Sequence, residues 1–170
     1  MSNKELVSEW FYQYHQDVYQ FLVYYTGRLD TEDLVQEVFI KAMKGASRFN
    51  GRSSVKTWLF SIARSVAIDQ IRKEKRRPFH FAVPWQNTYD LGHEQTPEQI
   101  VKGDESKQEL YHAIHRLKRN YRDVIILRAI QELSVAETAL TLGWSNQKVR
   151  TTYSRALKAL GKLQGGLFDG

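Results

Sequence analysis

Between Glu137 and Asp169 the chain holds five cations, Lys148, Arg150, Arg155, Lys158 and Lys162, and no carboxylate. Arginine and lysine without acidic neighbours bind polyanions: they release counterions from phosphates, and an arginine that reaches a groove reads base edges. Solvated helix faces usually mix signs, and this one does not. A second group with related chemistry lies earlier, where Arg72-Lys-Glu-Lys-Arg-Arg77 follows Phe49, Trp58 and Phe60. Rings beside cations suit unstacked bases, which stack on the ring while their phosphates meet Arg and Lys. The plainer reading of these aromatics is a hydrophobic core.

Bond-making chemistry is poorly represented. His112 and His115, three apart on an expected helix, could ligate a metal, but no convergent carboxylate accompanies them, so a surface pair is the simpler reading. No glycine-rich phosphate loop, nucleophile elbow or paired-carboxylate signature occurs. Cysteine is absent, which excludes disulfides and thiolate metal sites and fits a reducing compartment. The expectation is a protein with no enzymatic activity, metal, cofactor or small-molecule substrate.

Local signals place the cationic run on a defined scaffold. Ser134-Val-Ala-Glu137 is a capping box that starts a helix, with Val135, Ala139 and Leu142 on one face and Gly143 as its left-handed stop. Ser145 caps a second helix whose stripe is Val149, Tyr153, Ala156, Leu157, Leu160 and Leu163. Its opposite face carries Lys148, Thr151, Arg155, Lys158 and Lys162, with Arg150 and Ser154 at the edge. Short helix, glycine turn and longer basic helix make a helix-turn-helix, whose second helix enters the major groove; a helical hairpin with a solvated face is the alternative. Asn146, Lys148, Arg150 and Thr151 are expected at base edges or phosphates, and Arg155 and Lys158 at phosphates.

Upstream, Asp30 or Thr31 caps a helix over about 32–44, ended by Gly45. Val35, Val38, Phe39 and Ala42 suit a core. Asp33, Gln36, Glu37 and Ile40 share another face, and an exposed isoleucine beside Gln36 and Glu37 suggests a protein-docking surface rather than dipole complementation alone. A turn-rich loop, Phe49 to Ser54, leads into a helix of about 20 residues. Val55, Leu59, Ile62 and Val66 form its expected buried stripe, and Thr57, Ser61, Arg64, Ile68 and Arg72 its far side.

Charge divides the 170 residues into net +4 over 1–77, −4 over 78–105 and +6 over 106–170. The acidic strip holds all three prolines, Pro78, Pro84 and Pro97, which disfavour helix, and with Asn87, Gly92 and Gly103 it reads as a linker. No alternating strand pattern is present. The expected architecture is all-α: two small helical domains, 1–77 and 106–170, joined by the linker 78–105. No apolar signal core or stretch of about 18 apolar residues occurs, so a cytoplasmic protein is expected.

Four blocks, in order, resemble extracytoplasmic-function (ECF) sigma factors of bacterial RNA polymerase. Thr31-Glu-Asp-Leu-Val-Gln-Glu-Val-Phe-Ile-Lys-Ala is similar to their polymerase-docking segment, and Phe49-Asn-Gly-Arg-Ser-Ser-Val-Lys-Thr-Trp-Leu-Phe-Ser-Ile-Ala-Arg to their promoter-melting segment. Val66-Ala-Ile-Asp-Gln-Ile-Arg-Lys73 resembles the segment that recognises the minus-ten element. Tyr121-Arg-Asp-Val-Ile-Ile-Leu-Arg128 with the helix-turn-helix resembles the domain that reads the minus-thirty-five element. The runs Asn50 to Ser54 and Lys148 to Thr152 resemble the sigma-X type of Gram-positive bacteria.

The resemblance implies a region 2 domain at 1–77 and a region 4 domain at 106–170. Asp33, Leu34, Gln36, Glu37, Phe39 and Ile40 would dock, or support docking, on core RNA polymerase. Phe49, Asn50, Gly51, Arg52, Ser53 and Ser54 would capture a flipped base. Trp58, Ser61, Arg64, Ser65, Arg72 and Lys73 would line the melted strand. Asn146, Lys148, Arg150, Thr151, Ser154, Arg155 and Lys158 would meet upstream duplex promoter DNA. A membrane-bound anti-sigma factor, releasing the protein under envelope stress, is the further partner implied. Ser61, Ser65 and Thr152 depart from residues common in the family (Arg, Asn and Arg), which bears on strand contacts and not on the fold. The linker is either a nucleic-acid mimic in the polymerase channel or a spacer. A stand-alone helix-turn-helix regulator is the alternative function.

Overall fold

Ser2 begins the first helix by accepting the Glu5 amide on its hydroxyl at 3.2 Å, the usual way of satisfying a free amide at a helix start. The computed structural model describes residues 2–28, 30–76 and 105–164, which form helices, turns and loops, with no strand among them. They fall into two units divided between Leu91 and Gly92. The expected linker 78–105 lies almost wholly outside the described residues, as do Arg77, its prolines and Asp169.

The first unit is a three-helix arrangement of α1 (Asn3–Thr26), α2 (Glu32–Gly45) and α3 (Val55–Arg76), each packed against the other two. Phe21, Leu22, Tyr25, Leu59 and Phe60 are fully buried between them, each large apolar side chain contributing about 1.5–3 kcal/mol. Because α3 meets both neighbours, it buries two faces. Thr57 and Ile68, expected on its far side, are only 2% and 9% exposed. Val55 and Ile62, expected in the buried stripe, are half-buried.

The start of α2 is also arranged differently from expectation. Thr31 holds the cap position, but its buried hydroxyl has no partner among the described residues. Asp30 instead grips Arg28 with both carboxylate oxygens, at 2.9 and 2.6 Å, and Arg28 also pairs with Glu74 near the end of α3. Gly45 does not end α2 in a left-handed turn: its φ is −98° and the chain tightens into a 3-10 turn, Ala46–Arg48. Its role is steric, since a Cβ there would lie 3.3 Å from the Trp58 ring.

In the second unit, α4 (Glu105–Arg116) is followed by α5 (Arg119–Val124), which widens into a π-helical turn, Ile125–Ile130. Arg122 donates to the carbonyls of His115 and Leu117 at 2.7 and 3.1 Å, filling acceptors that a helix end leaves open. Tyr111, Ile114, Ile125, Ile126 and Leu127 form the core. The π turn closes through Gln131 N–H to Ile126 O at 2.8 Å and Leu133 N–H to Leu127 O at 2.9 Å. Glu132 between them has φ of +59°, a region that costs a non-glycine residue about 1–2 kcal/mol.

Replacing Glu132 with Gly should relieve that cost, less the extra chain entropy that glycine loses on folding. We expect a net gain of up to about 1 kcal/mol, read as a higher denaturant midpoint with an unchanged slope.

Candidate nucleic-acid interface

The capping box expected at Ser134 is present. Its hydroxyl accepts the Glu137 amide at 3.0 Å, while the Glu137 carboxylate accepts the Ser134 amide at 2.9 Å. This starts α6 (Val135–Leu142), which ends at Gly143 with φ of +70°. Ser145 then accepts the Lys148 amide at 3.1 Å and opens α7 (Asn146–Leu163). The turn between two capped helices is thereby fixed at both ends. Val149, Ala156 and Leu160 are buried, and Arg128 braces the pair by donating to Leu133 O at 2.6 Å with its guanidinium 5.0 Å from the Tyr153 ring centre. Leu157, expected in the buried stripe, is 45% exposed and lies at its margin.

The outer face of α7 gathers the residues expected there. Asn146, Lys148, Arg150, Ser154, Arg155 and Lys158 are exposed and Thr151 is half-buried. With no carboxylate between Glu137 and Asp169, this face presents a positive field to a polyanion. Lys148 is held back: its ammonium sits 4.2 Å over the Trp144 ring, a cation–π contact. Gln147 and Trp144 were not singled out from the sequence.

In the first unit the expected docking residues separate into two layers. Asp33, Gln36 and Ile40 are exposed and Glu37 is half-buried, with Lys41 3.7 Å from its carboxylate. Leu34 and Phe39 are 7% and 6% exposed; they are core residues that position this face, Phe39 also lining the groove beside it. Phe11 meets Phe39 edge-on with centroids 5.0 Å apart. Between α1 and α2 lies an apolar groove of about 300 Å³ lined by Phe11, Gln36, Phe39, Ile40 and Met43, among others.

The loop from Phe49 to Ser54 is held at both ends. Asn50 Oδ1 accepts the Arg52 amide at 3.0 Å, Gly51 supplies a φ of +75°, and Ser54 Oγ accepts the Thr57 amide at 3.1 Å. Phe49 and Trp58 are half-buried, packed on each other at 5.1 Å and both edge-on to Trp10 at 5.8 and 5.7 Å. This packing accords with the core reading of these rings, which remain half-buried. Arg52, Ser65, Arg72 and Lys73 are exposed, Ser53 and Arg64 half-buried, and Ser61 donates to Trp58 O at 2.6 Å. Among the described residues no three His, Cys, Asp or Glu side chains gather at a metal-binding spacing. No helix described is long and apolar enough to cross a membrane.

Comparison with known proteins matches the two units separately and in order. Residues 10–77 match Sigma-70 region 2, and residues 107–160 match Sigma-70, region 4. The ECF RNA polymerase sigma factor SigX of Bacillus subtilis is 45% identical over 153 residues, covering 88% of this chain and 78% of that protein. The RNA polymerase sigma factor YlaC of the same organism is 37% identical over 167 residues, covering 95% and 94%. Among solved structures, the sigma factor RpoE in complex with the anti-sigma factor NepR from Bartonella quintana superposes with a TM-score of 0.73 at 25% identity, covering 93% of this chain and 96% of that one. CnrH, in complex with the cytosolic domain of CnrY, shares the fold at a TM-score of 0.70.

Adjacent residues on α2 test the two-layer description. Phe39→Ala should cost about 3–5 kcal/mol through the cavity it leaves, whereas Ile40→Ala should stay within about 0.5 kcal/mol. Urea unfolding of both variants checks the difference.

Proposed function

This chain belongs to the ECF family of RNA polymerase sigma factors, and we propose that its two units divide the work of finding and opening promoters. The protein binds core RNA polymerase and directs it to initiate at particular promoters. The observation that carries this reading is that one chain holds both an apolar–acidic helix face suited to a protein partner and a helix-turn-helix whose second helix, suited to DNA, carries no acid. The match of the first unit to region 2 favours this over a stand-alone regulator, which would have no use for it.

In mechanism, Asp33, Gln36, Glu37 and Ile40 meet the polymerase on α2, with Leu34 and Phe39 supporting them from the core. On the downstream side, Phe49 to Ser54 take a flipped base, and Trp58, Ser61, Arg64, Ser65, Arg72 and Lys73 guide the melted strand. Binding of unstacked bases offsets unpairing, which costs on the order of a few kcal/mol. On the upstream side, α7 lies in the major groove. Asn146, Thr151 and Ser154 approach base edges, while Arg150, Arg155 and Lys158 hold phosphates and fix the register.

The protein itself makes and breaks no covalent bond; phosphodiester chemistry belongs to the polymerase. Its working place is the cytoplasm. The similar sigma factor RpoE is in complex with the anti-sigma factor NepR. That supports control of this chain by an anti-sigma factor; we propose that this partner is membrane-bound and releases the chain for an envelope-stress regulon.

Two measurements test the division of labour. Anisotropy titration of labelled protein with core polymerase should show Glu37→Lys and Ile40→Asp weakening binding at least tenfold, with Arg155→Ala unchanged; equal affinities would remove the docking assignment. For holoenzyme on duplex promoter, Arg155→Ala and Lys158→Ala should each weaken binding on all sequences alike. Each should lower the slope of log affinity against log salt by about one.

A further inference from the structure

At 3.6 residues per turn, Gln147, Thr151, Ser154 and Lys158 form the row of α7 opposite buried Val149, Ala156 and Leu160. The three residues nearest the helix start in this row are neutral hydrogen-bonding side chains. The cations nearest the helix start flank it, with Arg150 on one side and Lys148 and Arg155 on the other. A helix that enters the major groove by its N-terminal end points the start of its central row at base edges, and its flanks and later residues, Lys158 among them, at the phosphate backbones. Lys148 is drawn further from the row by its contact with Trp144.

Within that row only Gln147 carries a planar amide with both a donor and an acceptor. It is exposed, and its Nε2 donates to Thr151 Oγ1 at 3.4 Å. So long a bond is weak: it points the amide along the row and yields readily to a stronger partner. Glutamine pairs in the major groove with the N6 amine and N7 of adenine. We propose that Gln147 is a specificity-determining residue that reads one adenine of the upstream promoter element, with Thr151 holding its amide in line. The inference rests on the reading of α6 and α7 as the upstream promoter reader.

The test is transcription by holoenzyme on a promoter library in which each upstream position is varied in turn. Wild type, Gln147→Ala, Gln147→Glu and Lys158→Ala are compared, with circular dichroism confirming that each is folded. Wild type should prefer adenine at one position by roughly five- to a hundred-fold. Gln147→Ala should erase that preference and leave other positions unchanged. Gln147→Glu should move it towards cytosine, whose N4 amine donates to a carboxylate. An unaltered profile for Gln147→Ala, or a uniform loss like that of Lys158→Ala, would overturn the inference alone. No initiation by the wild type would overturn the proposed function and this inference with it.

Discussion

The packing of Trp10 against Phe49 and Trp58 is the contact on which the first unit's exposed surfaces depend. Trp10 is 7% exposed and meets both rings edge-on, an arrangement favoured by the opposite charges of ring face and ring edge. It pins the start of the loop that leads to Ser54. Its neighbour Phe11 turns to α2, meets Phe39 and lines the groove beside Ile40. Two consecutive residues of α1 thus brace the loop and the docking face. The absence of a side chain at Gly45 completes the arrangement, because it leaves room for the Trp58 ring.

The second unit solves a different problem. A helix-turn-helix is small, and a domain of this size buries little surface. Its geometry is set by polar local contacts as much as by the core: the reciprocal bonds of Ser134 and Glu137, the left-handed Gly143, and the Ser145 cap. Arg122 and Arg128 spend their guanidinium groups on backbone carbonyls, so they serve the scaffold, while the cations of α7 face outward. Position in the fold, more than residue type, separates the structural arginines from those available to DNA.

Much of this was legible in the sequence where the signal is local. The Ser134 and Ser145 caps, the Gly143 stop and the helical phase of α7 need only a few neighbouring residues. Features set by tertiary contact were not legible. Thr57 and Ile68 are buried because α3 packs on two helices, which one stripe of periodicity cannot reveal. Gly45 looks like a helix stop until Trp58 is placed beside it. Leu34 fell within a docking motif, yet a motif records position along the chain and not which side of the helix is buried; Phe39, in the same motif, was already expected in the core. The exposed Ile40, by contrast, was recognisable because an isoleucine beside Gln36 and Glu37 breaks the expected pattern.

The central claim is that this protein gives core RNA polymerase its promoter choice. The most direct measurement is run-off transcription by purified bacterial core polymerase on a promoter library, with and without the wild-type protein. We expect discrete transcripts that appear only when the protein is added. No polymerase-dependent initiation, alongside tight duplex binding by the protein alone, would contradict the claim.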